Sequence, residues 1–159
     1  MSDSPLLAVE KLHTSYGAIQ ALRGITFNVY DGQVVTLIGA NGAGKSTTIK
    51  HIIGTMEPKK GSITIDGTAI HEDTTKYRSQ FTFIPETPIL YDELTLHEHL
   101  ELTAMAYGLS KEEFEKRLHP LLKEFRMEKR LKWFPAHFSK GMKQKVMILS
   151  EFLVEPRLY

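Results

Sequence analysis

The stretch Gly39-Ala40-Asn41-Gly42-Ala43-Gly44-Lys45-Ser46 decides the fold of this chain, because it fits the phosphate-binding pattern G-x-x-x-x-G-K-[ST]. Its glycines let the backbone wrap closely, so that successive N–H groups point at phosphate oxygens. Lys45 brings a mobile positive charge to the β- and γ-phosphates, and the Ser46 hydroxyl is an oxygen ligand for Mg²⁺. The stretch therefore predicts a site for a nucleoside triphosphate and Mg²⁺.

The sequence on either side of this loop supplies the context that such a site needs. Residues 33–38 are a short run of mainly β-branched and apolar residues that predicts a buried strand. Residues 45–53 predict a helix, whose first turn presents unpaired N–H groups and the positive end of its dipole to the anion. Lys45 is also a candidate catalytic residue. The predicted nucleotide-binding residues of the loop and first turn are Gly39, Ala40, Asn41, Gly42, Ala43, Gly44, Lys45, Ser46 and Thr47.

Strands are predicted mainly in the front part of the chain. Residues 6–12 and 25–30 carry β-branched and apolar residues and lie between turn signals. Residues 61–66 alternate apolar and polar side chains before an Asp-Gly turn, and residues 81–84 form a further candidate strand that Pro85 ends.

Helices are predicted in the rest of the chain, over residues 95–107, 110–125 and 140–153. The first two begin with capping-box patterns, which pair Thr95 with Glu98 and Ser110 with Glu113. The chain is therefore strand-rich in front and helical behind.

The composition restricts the classes of function. The 159 residues are enough for one domain with a hydrophobic core. Lys and Arg total 20 against 19 Asp and Glu, a net charge of +1, which argues against a protein that mainly neutralises a nucleic acid backbone. There is no cysteine, which excludes disulfides and thiolate catalysis, and no apolar run is long enough to span a bilayer.

The seven histidines are scattered along the chain. The one close pair, His97 and His99, stands at i, i+2 of a predicted helix, where side chains point to different faces. We therefore interpret the histidines as surface residues and not as metal ligands.

Two further stretches are similar to motifs of the ABC-type ATPases. Residues 138–142 resemble the family's signature sequence, usually Leu-Ser-Gly-Gly-Gln, with matches at Ser139 and Gly141 and departures at the other positions. Ahead of the loop, Tyr16 resembles the aromatic residue that stacks on adenine in this family. Read without the resemblance, Tyr16 beside Gly17 fits a turn better than a stacking residue, and Ser-x-Gly fits an ordinary helix cap better than an anion site.

The segment that corresponds to the family's Q-loop departs from the usual pattern. It normally ends in Gln, whereas Glu86 stands there in this chain, after Pro85. A carboxylate can supply an oxygen to Mg²⁺ or orient a water, so Glu86 is the second candidate catalytic residue. It also brings negative charge towards the γ-phosphate, and an ordinary loop glutamate is the alternative interpretation.

The resemblance covers residues 6–159 and is closest to the ATPase subunit of the Ecs-type bacterial ABC transporter. It implies an α/β fold, namely an incomplete P-loop NTPase (ABC ATPase) core with an N-terminal antiparallel β subdomain and an α-helical subdomain. The expected division is residues 1–86 for the β subdomain and P-loop core, 87–137 for the helical subdomain, and 138–159 for the signature and the helix after it.

The resemblance also implies a function with ATP and Mg²⁺ as cofactors. Such a subunit couples ATP binding and hydrolysis to transport through an integral membrane subunit, at the cytoplasmic inner face of the cell membrane. Two copies sandwich two ATP molecules, each bound by one phosphate loop and by Ser139 and Gly141 of the other copy. Residues 85–102 of the helical subdomain would transmit closure of the pair to the membrane subunit.

Family members continue into the Walker B strand, which ends in Asp-Glu, and then to a switch histidine, whereas this sequence stops at Tyr159. We therefore expect a truncated part of a longer protein that binds ATP and hydrolyses it very slowly, with exposed apolar surface where strands are missing. The alternatives are a nucleotide-binding module without turnover and a soluble ABC-type ATPase acting on DNA or ribosomes. The usual marks of the soluble type, a long coiled-coil insert or strong basic patches, are not seen in the sequence.

Overall fold

The computed structural model describes residues 4–159, which form two compact units. The first contains the described residues up to Phe81 together with Leu158, and the second contains Thr82–Arg157 together with Tyr159. Each unit has its own hydrophobic core. The three-part division expected from the sequence, with boundaries after residues 86 and 137, stays a prediction.

An antiparallel sheet forms the centre of the first unit. Its strands are β1 (Leu7–Tyr16), β2 (Ile19–Val29), β3 (Lys60–Ile65) and β4 (Thr68–Ala69), in the order β2-β1-β3-β4. All three pairings are antiparallel, which confirms the predicted β subdomain. β1 and β2 are longer than the apolar runs that predicted them, because the polar residues near the turn at Gly17 also pair.

A bulge interrupts β1 at Lys11, which has a φ of 45°. The pairing of β1 with β3 shifts between Glu10 and His13, and the Lys11 N–H donates to the side-chain Oγ1 of Thr26 at 2.8 Å instead of to a backbone carbonyl group of a neighbouring strand. Gly61 of β3 faces this bulge with a φ of 94°. A Cβ placed on Gly61 would lie 2.4 Å from the carbonyl oxygens of both Glu10 and Lys11.

The helices of the first unit are α1 (Lys45–Ile52) and α2 (Thr74–Ser79). α1 confirms the helix predicted after the loop. Tyr77 of α2 is buried and donates a 2.6 Å hydrogen bond from its hydroxyl to the Ile52 carbonyl oxygen. Burial raises the pKa of Tyr77 to about 12, so the phenol stays protonated and fixes the end of α1. The largest fully buried side chains of this core are Leu12, Leu22, Ile65 and Tyr77, with Val9 beside them.

Residues 33–38 do not form the buried strand that the sequence predicts. They have no regular secondary structure, and Val34 and Ile38 are 97% and 91% exposed. An extended segment becomes a strand only when a neighbour pairs with its backbone groups, and within residues 4–159 the four strands of the sheet pair only with one another. Apolar composition alone could not reveal this missing pairing. The exposed apolar surface expected from the sequence is found here.

The strand predicted at residues 81–84 is reduced to a single bridge. Phe81 pairs in parallel with Leu158, whose N–H donates to the Gln80 carbonyl oxygen at 3.1 Å. Residues 82–85 have no regular secondary structure, because in the described chain the bridge does not continue past Phe81. The β-branched and aromatic composition of this segment indicated an extended backbone but not its pairing.

Three helices build the second unit, namely α3 (Leu96–Ala106), α4 (Lys111–Glu124) and α5 (Lys140–Val154). They confirm the three predicted helices to within one residue at each end. Two short 3₁₀ helices, Glu128–Arg130 and Pro135–His137, lie between α4 and α5. None of the helices in residues 4–159 is long and apolar enough to cross a membrane. Side chains at helical spacing form the core, among them Leu96, Leu100, Phe114, Leu118, Leu122, Val146, Leu149 and Leu153.

Both predicted capping boxes are present. Thr95 Oγ1 accepts the Glu98 N–H at 3.3 Å, and the Glu98 carboxylate accepts the Thr95 N–H at 2.7 Å. Ser110 and Glu113 make the same reciprocal pair, with both distances at 3.2 Å. Hydrogen bonds from the capping residues lower the pKa of Glu98 and of Glu113 below the ordinary value of 4.5.

The Ser110→Ala variant is expected to lower the free energy of unfolding by about 1 kcal/mol at neutral pH, because the first turn of α4 loses its cap. The folded-state pKa of Glu113 is depressed, so the stabilisation by its carboxylate is present above pH 4.5 and is lost as the pH falls through the folded value. The unmodified chain should therefore lose more stability below pH 4.5 than the variant does.

Urea unfolding at neutral pH and below pH 4.5 measures this difference. Ser139→Ala is the matched control, because Ser139 caps α5 by accepting the Met142 N–H at 3.3 Å and has no carboxylate three residues on. Its effect should be the same at both pH values. An acid dependence in the Ser110 variant equal to that of the unmodified chain would contradict the capping argument.

The first turn of α3 is bound by a segment much later in the chain. The Leu96 N–H donates to the Trp133 carbonyl oxygen and the His97 N–H to the Leu131 carbonyl oxygen, both at 2.9 Å. The Trp133 N–H in turn donates to the Arg130 carbonyl oxygen at 2.9 Å. Two N–H groups that a helix leaves unpaired are thus satisfied by backbone, in addition to the capping box.

The interpretation of all histidines as surface residues is wrong for His51 and His99, which are 3% and 6% exposed. Nδ1 of His51 lies 2.7 Å from the Thr47 carbonyl oxygen, and Nε2 of His99 lies 2.9 Å from the Tyr91 carbonyl oxygen. His99 stands three residues after Leu96, on the buried face of α3. The i, i+3 spacing of His99 from Leu96 indicated its burial. The sequence analysis missed this because it considered only the spacing between His97 and His99.

Candidate nucleotide-binding site

The predicted phosphate loop is a tight turn that leads directly into α1. The Ala43 N–H donates to the Ala40 carbonyl oxygen at 3.1 Å, and Gly42 and Gly44 have φ values of 82° and 94°. A Cβ on Gly44 would lie 2.6 Å from Leu22 Cδ2, because β2 fills the space beneath the loop. The backbone conformation therefore favours glycine at position 44, and a Cβ there would also displace the end of the Leu22 side chain.

The start of α1 is open to an anion. Gly44 is its N-cap residue, and no described side chain caps the helix. The N–H and the hydroxyl of Thr48 both donate to the Gly44 carbonyl oxygen, at 2.8 and 2.9 Å, which closes the first turn. The N–H groups of Lys45, Ser46 and Thr47 have no helical acceptor, and the helix dipole adds positive potential at this end.

Lys45 places its charge on the loop itself. Its ammonium donates to the carbonyl oxygens of Gly39 at 2.7 Å and Ala40 at 2.9 Å. No ion pair joins Lys45 to a carboxylate within residues 4–159. The charge is therefore balanced only by neutral carbonyl groups, which a phosphate oxygen can replace with a stronger, charge-assisted hydrogen bond.

Tyr16 lies beside the start of α1. The sequence suggested that Tyr16 lies in a turn. In the structure it is the last residue of β1, and the turn consists of Gly17 and Ala18. Its hydroxyl donates to Met56 Sδ at 3.3 Å and lies 3.5 Å from Thr47 Oγ1. The side chain is 49% exposed, so much of the ring stays available for stacking.

The polar groups around the loop fit a triphosphate with Mg²⁺. Ser46, the second residue of α1, is exposed, and its hydroxyl is the type of hard oxygen that Mg²⁺ binds. Amide donors of the first turn and the Lys45 ammonium supply positive partners for phosphate oxygens. Asn41 is exposed at the loop.

The other candidate residues lie in the second unit. Glu86 is exposed in a bend after Pro85. Ser139 caps α5, and Gly141 stands in the first turn of that helix. A Cβ on Gly141 would meet no described atom within 4 Å, so packing within this chain does not require glycine there. The roles of these three residues stay predictions.

Comparison with known proteins identifies the family. Residues 22–159 match the family model described as ABC transporter. The chain belongs to this family. The ABC-type transporter ATP-binding protein EcsA of Bacillus subtilis (strain 168) is 68% identical over 154 residues, which cover 97% of this chain and 62% of EcsA. The expected similarity to the Ecs-type ATPase subunit is thereby confirmed.

Solved structures confirm the fold. The structure of an ATP binding subunit of an ABC transporter matches with a TM-score of 0.91 and 62% identity, over 95% of this chain and 63% of that one. The cbiO1 protein of Clostridium perfringens, part of the ABC transporter complex cbiONQ, matches with a TM-score of 0.83 and 28% identity, over 98% of this chain and 64% of that one. The chain thus has part of the ABC ATPase fold and spans less than two thirds of these proteins.

Sequence reasoning about this ABC-family chain missed two residues that shape the site. Leu22 of β2 fills the space beneath Gly44, and Met56 accepts the hydrogen bond from the Tyr16 hydroxyl. Neither belongs to a recognisable motif. Both contacts join residues far apart in the sequence, so no local pattern could have indicated them.

Proposed function

We propose that this chain is the ATP-binding part of the ATPase subunit of a bacterial ABC transporter, and that residues 39–47 bind the triphosphate of ATP with Mg²⁺. The observation that supports this most directly is the position of Lys45, whose ammonium bonds to loop carbonyls beside the open first turn of α1. Phosphate oxygens would accept hydrogen bonds from Lys45 and from the amides of that turn. Ser46 would supply one oxygen ligand to Mg²⁺, which neutralises phosphate charge when bound.

Tyr16 completes the proposed ATP site by stacking on adenine. Its hydroxyl is positioned by Met56 and Thr47, next to the turn of α1 that follows the loop. Stacking of a base on an aromatic ring contributes about 1–3 kcal/mol, so Tyr16 would add affinity without much selectivity among bases.

In the full-length protein, we propose that two copies sandwich two ATP molecules and act on an integral membrane subunit at the cytoplasmic face of the membrane. Ser139 and Gly141 would contact the ATP bound by the other copy, and the open space in front of Gly141 is compatible with a close approach. Residues 85–102 would transmit closure to the membrane subunit, and Glu86 would orient water or Mg²⁺. The similarity to EcsA and to a part of the cbiONQ complex supports this proposal.

For residues 1–159 alone we propose ATP binding without appreciable turnover. In the family, water activation is expected to depend on the Walker B strand and the switch histidine, and neither motif is recognised in residues 6–159. Positioning of the phosphates by the loop leaves hydrolysis slow without a general base that takes the proton of the attacking water, a role that is not proposed for Glu86.

Calorimetric titration of ATP with Mg²⁺ into the 159-residue chain tests the proposal, with ADP and adenosine as comparison ligands. We expect saturable binding of ATP and ADP and much weaker binding of adenosine, because most of the contacts are to phosphate. Phosphate release, followed in the same samples, should stay at the background rate. Adenosine binding as tight as ATP binding, or no ATP binding by folded protein, would contradict the proposed site.

A further inference from the structure

The charge of the chain is unevenly distributed. Residues 126–145 contain seven Lys and Arg against one Glu, a net charge of +6, whereas the whole chain has a net charge of +1. The rest of the chain is therefore net negative. The overall charge balance does not show this concentration of basic residues. The seven residues are Arg126, Lys129, Arg130, Lys132, Lys140, Lys143 and Lys145.

Two aromatic side chains are exposed within this basic segment. Trp133 is 48% and Phe134 is 41% exposed, and Lys132 directly precedes them. Lys129 and Lys132 are exposed as well, and neither forms an ion pair with a described residue. Adjacent exposed aromatic residues are unusual on a free protein surface, since they gain stability only when a partner covers them.

The segment that presents these side chains is ordered by its own backbone. The carbonyl groups of Leu131 and Trp133 accept the first two N–H groups of α3, as described above. The Arg130 guanidinium lies 5.7 Å from the centre of the Trp133 ring and also donates to the Arg126 carbonyl oxygen at 3.2 Å. The aromatic pair is therefore held in place before any partner binds, which lowers the entropy cost of binding.

We propose that Lys129, Lys132, Trp133 and Phe134, here called the basic–aromatic surface, bind an anionic lipid bilayer directly. Tryptophan and phenylalanine insert at the level of lipid headgroups, and lysines keep their ammonium groups among the phosphates while their alkyl chains contact the apolar rings. Each lysine close to an anionic leaflet increases membrane affinity about fivefold. The exposed aromatic rings of this surface fit the level of the lipid headgroups, and its lysines, which form no ion pair with a described residue, fit the lipid phosphates.

A lipid surface fits these residues better than a nucleic acid does. Bases stack on open aromatic faces, whereas one face of Trp133 is already covered by Arg130. A ring that is covered on one side and exposed elsewhere can still enter the headgroup layer. The proposal is independent of the proposed ATP site, because the basic–aromatic surface lies in the second unit and the phosphate loop in the first.

The test uses the fluorescence of Trp133, which is the single tryptophan of the chain. The full 159-residue protein is mixed with vesicles of phosphatidylcholine containing phosphatidylglycerol, or with vesicles of phosphatidylcholine alone. We expect a blue shift and protection from acrylamide quenching only with the anionic vesicles. Both effects should weaken as salt is raised, because salt screens the lysine–phosphate attraction.

Three variants identify the residues involved. Lys129→Gln with Lys132→Gln should reduce the partition coefficient roughly 25-fold, at about fivefold for each lysine. Phe134→Ala should reduce it as well while keeping the tryptophan reporter. Lys111→Gln with Lys116→Gln is the matched control, because it removes the same charge from exposed positions of α4 and should bind vesicles almost normally.

Equal binding by the two double variants would overturn the proposal, since general charge would then explain the result. A fluorescence shift with a DNA duplex but not with anionic vesicles would also overturn it and assign the surface to a nucleic acid. Circular dichroism of each variant shows whether it is folded. The Lys45→Ala variant should still bind anionic vesicles, so failure of the ATP site and failure of the lipid surface are distinguishable.

Discussion

Replacement of Lys45 by alanine is expected to weaken binding of ATP by roughly 10- to 150-fold, because a hydrogen bond to a charged group contributes about 1.5–3 kcal/mol. In the proposed complex the Lys45 ammonium leaves the carbonyl oxygens of Gly39 and Ala40 and binds phosphate oxygens instead. Alanine removes the charge and keeps the helix, since alanine has the highest helix propensity. Calorimetric titration with ATP and Mg²⁺ measures the loss.

The Lys50→Ala variant is the matched control for this prediction. Lys50 is an exposed lysine of the same helix, and its side chain makes no described contact with the loop. We expect it to bind ATP with little change. The Lys45 variant should retain the stability of the unmodified chain, because the two freed carbonyl groups are exposed to water. Unchanged ATP affinity in the Lys45 variant would show that the nucleotide does not use this loop.

Replacement of Gly61 by alanine should be the most destabilising single-methyl change in the first unit, with an expected loss of about 3 kcal/mol or more. Two penalties combine at this position. Gly61 has a φ of 94°, which L side chains rarely adopt, and its Cβ would lie 2.4 Å from two backbone oxygens of the β1 bulge. Backbone atoms of a paired strand cannot move aside as a flexible side chain can, so β1 and β3 would have to separate locally.

Gly67→Ala separates the two penalties. Gly67 also has a positive φ, of 72°, but a Cβ there would meet no described atom within 4 Å. Its loss of stability should therefore be limited to the backbone term, about 1 kcal/mol. Urea unfolding of both variants gives the comparison. Similar losses for Gly61→Ala and Gly67→Ala would mean that the sheet adapts to the extra methyl group at the bulge.

Local signals in the sequence predicted those features that depend on neighbouring residues. The capping boxes of Thr95 and Ser110, the helix after the phosphate loop and the Asp-Gly turn after β3 all follow from patterns a few residues long. Helix boundaries were accurate because caps define them chemically. The loop residues 39–46 belong to the same class, since their pattern is contiguous.

Features that depend on residues far apart in the sequence could not be predicted from such local patterns. Residues 33–38 have the composition of a strand, but a strand forms only with a hydrogen-bonding neighbour, and composition does not report one. The contact of Leu22 with Gly44 arises from packing of β2 beneath the loop. The burial of His99 depends on which face of α3 meets the core. Each of these required the tertiary structure.

Backbone hydrogen bonds couple the opening of the first turn of α3 to the opening of residues 131–133. The amide protons of Leu96 and His97 can exchange with solvent only when the carbonyl groups of Trp133 and Leu131 move away. Their hydrogen-exchange rates therefore report the separation of the first turn of α3 from residues 131–133. The same long-range closure makes the first turn of α3 a late step in folding, because a loop of more than thirty residues must close before those two bonds can form.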